Sequence, residues 1–264
     1  MVTERSTEID GHLVVWREAE GAPVLYLHGV PDSGEMWTEF LEASGGYAPD
    51  LPGFGRSGKR ADFPYDIDGY AEFLGRFVDA LGLRRISLVV HDWGAVGLAM
   101  AARRPGLVER LVAIDPVPFV PGFRWHRAAR LWRRPGIGEI VMGLQTPFAF
   151  RRAARGMPRE LADRALAHMD HGTQRAILRL YRSADPPALA AAGAQLGRID
   201  AQALVVWGER DVFLDVGYAE PLASALRAEL VVVPGAGHWP WTDDADVKSR
   251  ILRFLDREDS PRGR

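Results

Sequence analysis

The chain of 264 residues contains no cysteine. Disulfides, thiolate nucleophiles and cysteine-bound metals are therefore excluded. Lysine is scarce: Lys59 and Lys248 are the only two, and arginine carries the rest of the 33 basic side chains. No stretch approaches the roughly 18 successive apolar residues a membrane span needs. The opening segment "MVTERSTEID" lacks the apolar stretch of a secretory leader, so a cytoplasmic location is expected. The formal net charge is only −2, which gives no reason to expect a nucleic-acid partner.

What remains is a globular composition, 47% hydrophobic and 26% charged, long enough for one large domain or a domain with an insertion. Short apolar, β-branched runs bounded by turn residues read as buried strands. They are "HLVVWRE" from His12, "PVLYLHG" from Pro23, "ISLVVHD" from Ile86, "RLVAID" from Arg110, "ALVVWGE" from Ala203 and "ELVVVPG" from Glu229, with a shorter one near "GYAPD" from Gly46. Helical periodicity separates them over 67–81, 94–103, 218–226 and 245–256. This alternation predicts an α/β fold with a mostly parallel sheet and helices on both faces. The two early runs before His28 predict an antiparallel start. The tail "DREDSPRGR" is expected to fray.

From Val117 to Gly197 the alternation stops. Prolines 116, 118 and 121 mark the entrance, "ADPPALAAAGAQLG" marks the exit, and "PRELADRALAHM" and "TQRAILRLYR" read as helices between them. The expected organisation is a core of residues 1–116 and 198–264 with a helical lid over 117–197. The interval holds 13 Arg against 5 acidic residues. That excess reads either as a solvated helical surface or as a positive field favouring anionic substrates or products.

Two motifs are set aside. "GFGRSG" at Gly53 matches a dinucleotide fingerprint, but Pro64 and the loop-like residues after it argue against the helix that fingerprint opens. His168 and His171 have a spacing that could ligate a metal, yet no further ligand stands at a recognisable distance in sequence. No metal or organic cofactor is expected.

Four other pieces lie at the carboxyl ends of expected strands, where loops of an open α/β sheet share one crevice. They are "HGVPDSGEMW" at His28, "HDWGA" at His91, "WGERD" ending in Asp211, and "PGAGHWPW" containing His238. Asp92 closes a buried strand where a sharp turn must begin, a placement that exposes a nucleophile. A carboxylate is already ionised and suits displacement at a saturated carbon, leaving an alkyl ester that water can cleave. Against an ester or amide it would give a less useful mixed anhydride.

The chain order nucleophile, acid, histidine resembles that of the α/β-hydrolases, over nearly the whole length. The usual nucleophile turn of this fold has a small residue where Val90 stands, but "V-x-D-W-G" resembles the nucleophile turn of haloalkane dehalogenases. "HGVP" resembles the HGxP motif of epoxide hydrolases. The resemblance implies Asp92 as nucleophile, His238 as the base that activates water, and Asp211 as its acid, with Asp115 at the preceding strand end as the alternative acid. The amides of Val30 and Trp93 would form the oxyanion hole, while His28 would shape its loop. An epoxide hydrolase is expected to bring lid tyrosines to the ring oxygen, and Tyr181 is the only tyrosine in the lid. A dehalogenase is expected to bind halide through Trp93 and a second donor such as Trp125 or Trp132. Epoxide hydrolysis is placed ahead of dehalogenation. A non-hydrolytic isomerase or cyclase, or a ligand-binding member of the fold, is the further alternative. The expected partners are a small apolar or amphipathic organic substrate and water.

Overall fold

The computed structural model describes residues 1–144, 146–154 and 156–256. The segment 257–264, nearly all of the tail expected to fray, lies outside the described residues. Eight strands form one sheet: β1 (Thr3–Ile9), β2 (His12–Ala19), β3 (Val24–Leu27), β4 (Gly46–Pro49), β5 (Ile86–Asp92), β6 (Val108–Pro116), β7 (Gln202–Gly208) and β8 (Glu229–Val233). Their order is β1-β2-β4-β3-β5-β6-β7-β8. Pairing is parallel from β4 onward and antiparallel for β1 with β2 and for β2 with β4.

The expected antiparallel start is present, but between different partners. The runs from His12 and Pro23 are not neighbours. The antiparallel partners of β2 are β4 and β1, the latter a strand of sequence "TERSTEI" that carries no apolar alternation. It is an edge strand exposed along nearly all its length, so no burial pattern was imprinted on it.

Alternation along β5 divides the core. Leu88 and Val90 face one apolar layer and Val89 the other, as period-two side chains on a doubly covered sheet must. The first layer receives α2 (Ile67–Ala80) and α3 (Val96–Arg103), and the second receives α1 (Thr38–Ser44). Helix α2 shows how local sequence makes an element. Asp66 caps it by accepting from the Gly69 amide, and Tyr70, Phe73, Leu74 and Phe77 form one buried stripe.

Among the described residues six helices intervene between β6 and β7: α4 (Arg127–Trp132), α5 (Ile137–Gly143), α6 (Pro147–Ala153), α7 (Arg159–Ala167), α8 (His171–Ser183) and α9 (Pro186–Gly193). The segment read as an alanine-rich exit is helix α9, capped by Asp185 with proline in its first turn. Helices α10 (Ala219–Leu226), α11 (Pro240–Asp243) and α12 (Ala245–Leu255) complete the chain. "GFGRSG" is a turn, closed by the Gly53 amide donating to the Gly58 carbonyl at 2.9 Å.

The arginines of the intervening helices are largely structural. Arg133 donates to the carbonyls of Tyr181 and Ala184, and Arg179 and Arg175 donate to the Ala61 and Lys59 carbonyls of the core. Arg182 pairs with Glu139, and Arg151 with Asp163. Among the described residues no arginine lines the cavity beside Asp92. The charge of the arginines named here ties helices together rather than facing that cavity.

Candidate active site

Strand β5 ends at Asp92, whose backbone has φ 49° and ψ −121°. A non-glycine residue at positive φ is strained, and the surrounding packing has to impose it. Two glycines make room. A Cβ on Gly94 would lie 2.3 Å from the Leu27 carbonyl oxygen, and one on Gly29 would lie 2.4 Å from the Asp92 Cβ. Val90 fits beneath the turn because Gly97 of α3 has no side chain; a Cβ there would approach the Val90 Cγ1 to 3.2 Å.

The Val30 amide donates to Asp92 Oδ1 at 2.8 Å, and the Trp93 amide lies near enough to favour the charged carboxylate. Burial pushes the Asp92 carboxyl up, opposed by His238 and by these two amides. His238 Nε2 stands 3.7 Å from Asp92 Oδ2, beyond a direct hydrogen bond. On its other side, His238 Nδ1 is 2.6 Å from Asp211 Oδ2. Asp211 Oδ1 accepts the amides of Phe213 and Leu214 at 2.7 and 3.0 Å. Burial works against a charged His238, but the attraction and hydrogen bond of Asp211, with Asp92, raise its pKa above the usual histidine value. Burial likewise opposes the Asp211 carboxylate, and His238 more than offsets it, so its pKa is lowered.

Asp115, the alternative acid, does not bond the histidine. It is fully buried at φ 38°, and its Oδ1 accepts the Gly208 amide at 2.9 Å. Burial first, and then the Asp211 charge, push its carboxyl well above the ordinary range. Asp115, Asp211 and His238 bring potential ligand atoms within 4.8 Å of one another, but the Asp211–His238 hydrogen bond occupies that space.

Two further residues position the site. The Leu51 amide donates to His28 Nε2 at 2.9 Å, so His28 holds the loop, in the role its sequence suggested. His91 stands one residue before Asp92, in the same strand. Burial holds it neutral, and its Nε2 is 2.8 Å from the His238 carbonyl, tying the histidine loop to β5. Its place next to Asp92 was the available signal, but the direction of its ring was not.

The cavity beside Asp92 has mostly apolar walls, including Trp132, Met142, Phe150, Ile177 and Phe213. Tyr181 lines it, and burial with the nearby Asp92 charge holds its hydroxyl protonated far above neutral pH. The Trp93 indole N–H is buried and leans toward that hydroxyl without completing a hydrogen bond. Trp125 stacks on Trp93 with ring centroids 5.4 Å apart. Its N–H, however, donates to the Ala184 carbonyl at 3.0 Å, so Trp125 supplies a wall and not the expected donor. His168 and His171 are not among the lining residues, and His171 faces Gln174.

A strained strand-to-helix turn at Asp92, an Asp–His pair beyond it and a β1-β2-β4-β3-β5-β6-β7-β8 sheet define an α/β-hydrolase. A model of the alpha/beta hydrolase family matches residues 24–249, and the chain belongs to that family as a hydrolytic enzyme. Within it, the chain is 30% identical to a haloalkane dehalogenase of Bradyrhizobium diazoefficiens, over 94% of this chain and 92% of that protein. It is 25% identical to epoxide hydrolase 2 of Caenorhabditis elegans, over 95% of this chain and 78% of that one. In structure it is similar to the haloalkane dehalogenase DbeA from Bradyrhizobium elkani USDA94 (TM-score 0.79, 24% identity, 97% of this chain and 98% of that one), a likeness of fold. No helix of the described residues is long and apolar enough to cross a membrane.

Proposed function

We propose that this enzyme hydrolyses a small organic substrate at a saturated carbon through an alkyl ester on Asp92, and that its substrates are epoxides. The helices between β6 and β7 act as the lid, with the expected boundaries 117–197. An Asp92 carboxylate oxygen attacks a ring carbon, the carbon–oxygen bond breaks, and its electron pair passes to the ring oxygen. Tyr181 donates its proton to that oxygen and later recovers one from water. His238, oriented by Asp211, takes a proton from water as it attacks the ester carbonyl. The Val30 and Trp93 amides hold the resulting oxyanion, a contribution of about 3 kcal/mol per donor at comparable sites. On collapse the ester carbon–oxygen bond breaks, the leaving alkoxide takes the proton held by His238, the second proton of the water returns to Tyr181, and the diol departs with the Asp92 carboxylate restored.

The observation that carries this reading is the Tyr181 hydroxyl. It lines the cavity, stays protonated under the influence of Asp92, and donates to no acceptor among the described residues. An alkoxide is a strong base and needs such an acid, whereas a departing halide needs only hydrogen bonds. Dehalogenation is the second reading, favoured by the unpartnered Trp93 indole and by the named relatives. Intact-protein mass spectrometry of His238→Ala separates the two. Exposed to styrene oxide, the variant should gain the whole epoxide mass on Asp92. An adduct formed only from bromoalkanes, with halide lost, would replace the first reading by the second. No adduct from either, with the fold intact, would remove the covalent mechanism.

A further inference from the structure

The outer side of the helices between β6 and β7 carries large apolar side chains that nothing among the described residues covers. Helix α5 buries Gly138 and Met142 and turns Ile137, Ile140 and, at its end, Leu144 outward, at the spacing of one helix face. Leu144 is 73% exposed, and Phe148, in the first turn of α6, is 78% exposed. Leu131 adds a further exposed side chain on α4. Helices α4 and α5 pack against each other and both against α8, so their sides turned away from α8 make one outer surface. These side chains take no part in the cavity, whose wall comes from Trp132, Met142 and Phe150 of the same helices.

The charge around them has one sign. Residues 117–158 contain eight arginines and a single acidic residue, Glu139. Glu139 is bound to Arg182 at 2.7 Å, so it leaves no free negative charge on this surface. Arg127, Arg130, Arg134 and Arg152 are exposed, and none has an acidic partner among the described residues.

We propose that this face seats the protein on an anionic lipid surface, with Ile140, Leu144 and Phe148 in the acyl boundary and the arginines among the headgroups. The proposal is independent of the reaction assigned to Asp92. Apolar side chains on one side of short helices, flanked by arginine, suit a membrane interface. Attachment of this kind needs no spanning helix, and the described residues have none. A second copy of the chain would bring the same unpaired guanidiniums against each other, a like-charge contact that opposes self-association. An acidic protein would answer the arginines, but Leu144 and Phe148 stand out singly. A protein would need a separate pocket for each, whereas a fluid acyl layer closes round any projecting side chain.

The test is sedimentation of the full chain with vesicles. Vesicles of equal parts phosphatidylglycerol and phosphatidylcholine should bind it, and those of phosphatidylcholine alone should bind it more weakly by about tenfold or more. Arg127→Gln with Arg134→Gln should weaken binding by about fivefold per arginine removed. Leu144→Gln with Phe148→Gln should weaken it by about tenfold or more. Both pairs should leave the melting temperature unchanged, since all four side chains are exposed. Because the chain lacks cysteine, Ile140→Cys can carry a single environment-sensitive dye, whose emission should shift to the blue on the anionic vesicles. Failure to bind those vesicles would overturn the proposal. Binding lost with the arginines but untouched by the Leu144 and Phe148 changes, with no dye shift, would overturn it in favour of an acidic protein partner. A dimer formed without lipid, and dissociated by Leu144→Gln with Phe148→Gln, would assign the face to a second copy instead.

Discussion

Asp115 and Asp211 place two carboxyl groups beside one histidine at the ends of neighbouring strands, and only Asp211 bonds it. With Asp92, three acids share one site with a single histidine, whose charged form they favour. Burial and the Asp211 charge keep Asp115 protonated, leaving Asp211 as the anion that orients His238.

Asp115→Asn, which imitates the protonated acid, should therefore leave turnover within about threefold and alter how stability depends on pH. The folded-state pKa of Asp115 lies above its unfolded value. The folded protein thus holds an extra proton between the two, and stability falls as pH rises through that window. The asparagine variant lacks this loss. Its melting temperature relative to the parent should increase from pH 4 toward neutral pH, as thermal melts would register; a flat difference would mean Asp115 ionises freely.

Asp211→Asn should be severe and selective for the second half of the reaction. The asparagine cannot hold the imidazolium, and comparable triads lose on the order of 10³–10⁴-fold. Rapid-quench mass spectrometry should find the Asp92 ester accumulating during turnover. Slowed ester formation with no accumulation would contradict the assigned order.

The charge of Asp92 supports protonation of His238 in the resting enzyme. In the proposed reaction, formation of the ester removes that charge, which favours the neutral imidazole just when a base is needed. Asp92→Asn reproduces the neutralised state. Its His238 ring should titrate at lower pH than in the parent by NMR, and an unchanged value would remove this coupling.

The two glycines of the turn should fail differently. A Cβ on Gly29 would lie 2.4 Å from the Asp92 Cβ, which the backbone fixes, and 2.6 Å from Oδ1. Gly29→Ala should therefore displace Asp92 itself, slowing the proposed ester formation by about 10²-fold in protein that still folds with reduced stability. A Cβ on Gly94 meets the Leu27 backbone, so Gly94→Ala should destabilise the fold by about 1–3 kcal/mol. Chemical denaturation of both variants checks the contrast.

The amino-acid sequence by itself determined the buried sheet and the order of the site. Runs such as "ISLVVHD" become strands because their β-branched side chains must be covered on both faces, and the chemistry-bearing loops follow those strands. Strand β1 is not legible in the sequence because an exposed edge needs no apolar pattern, nor is α9, because its prolines, helix-starting at one position, resemble loop punctuation. Tertiary structure alone decided which donors face the cavity. The composition of residues 117–197 offered tryptophans, histidines and one tyrosine without direction. Packing then tied the Trp125 N–H to Ala184, turned His126 Nδ1 onto its own helix, and left Tyr181 beside Asp92. Directions of this kind arise from contacts between segments far apart in the chain, and local sequence does not encode them.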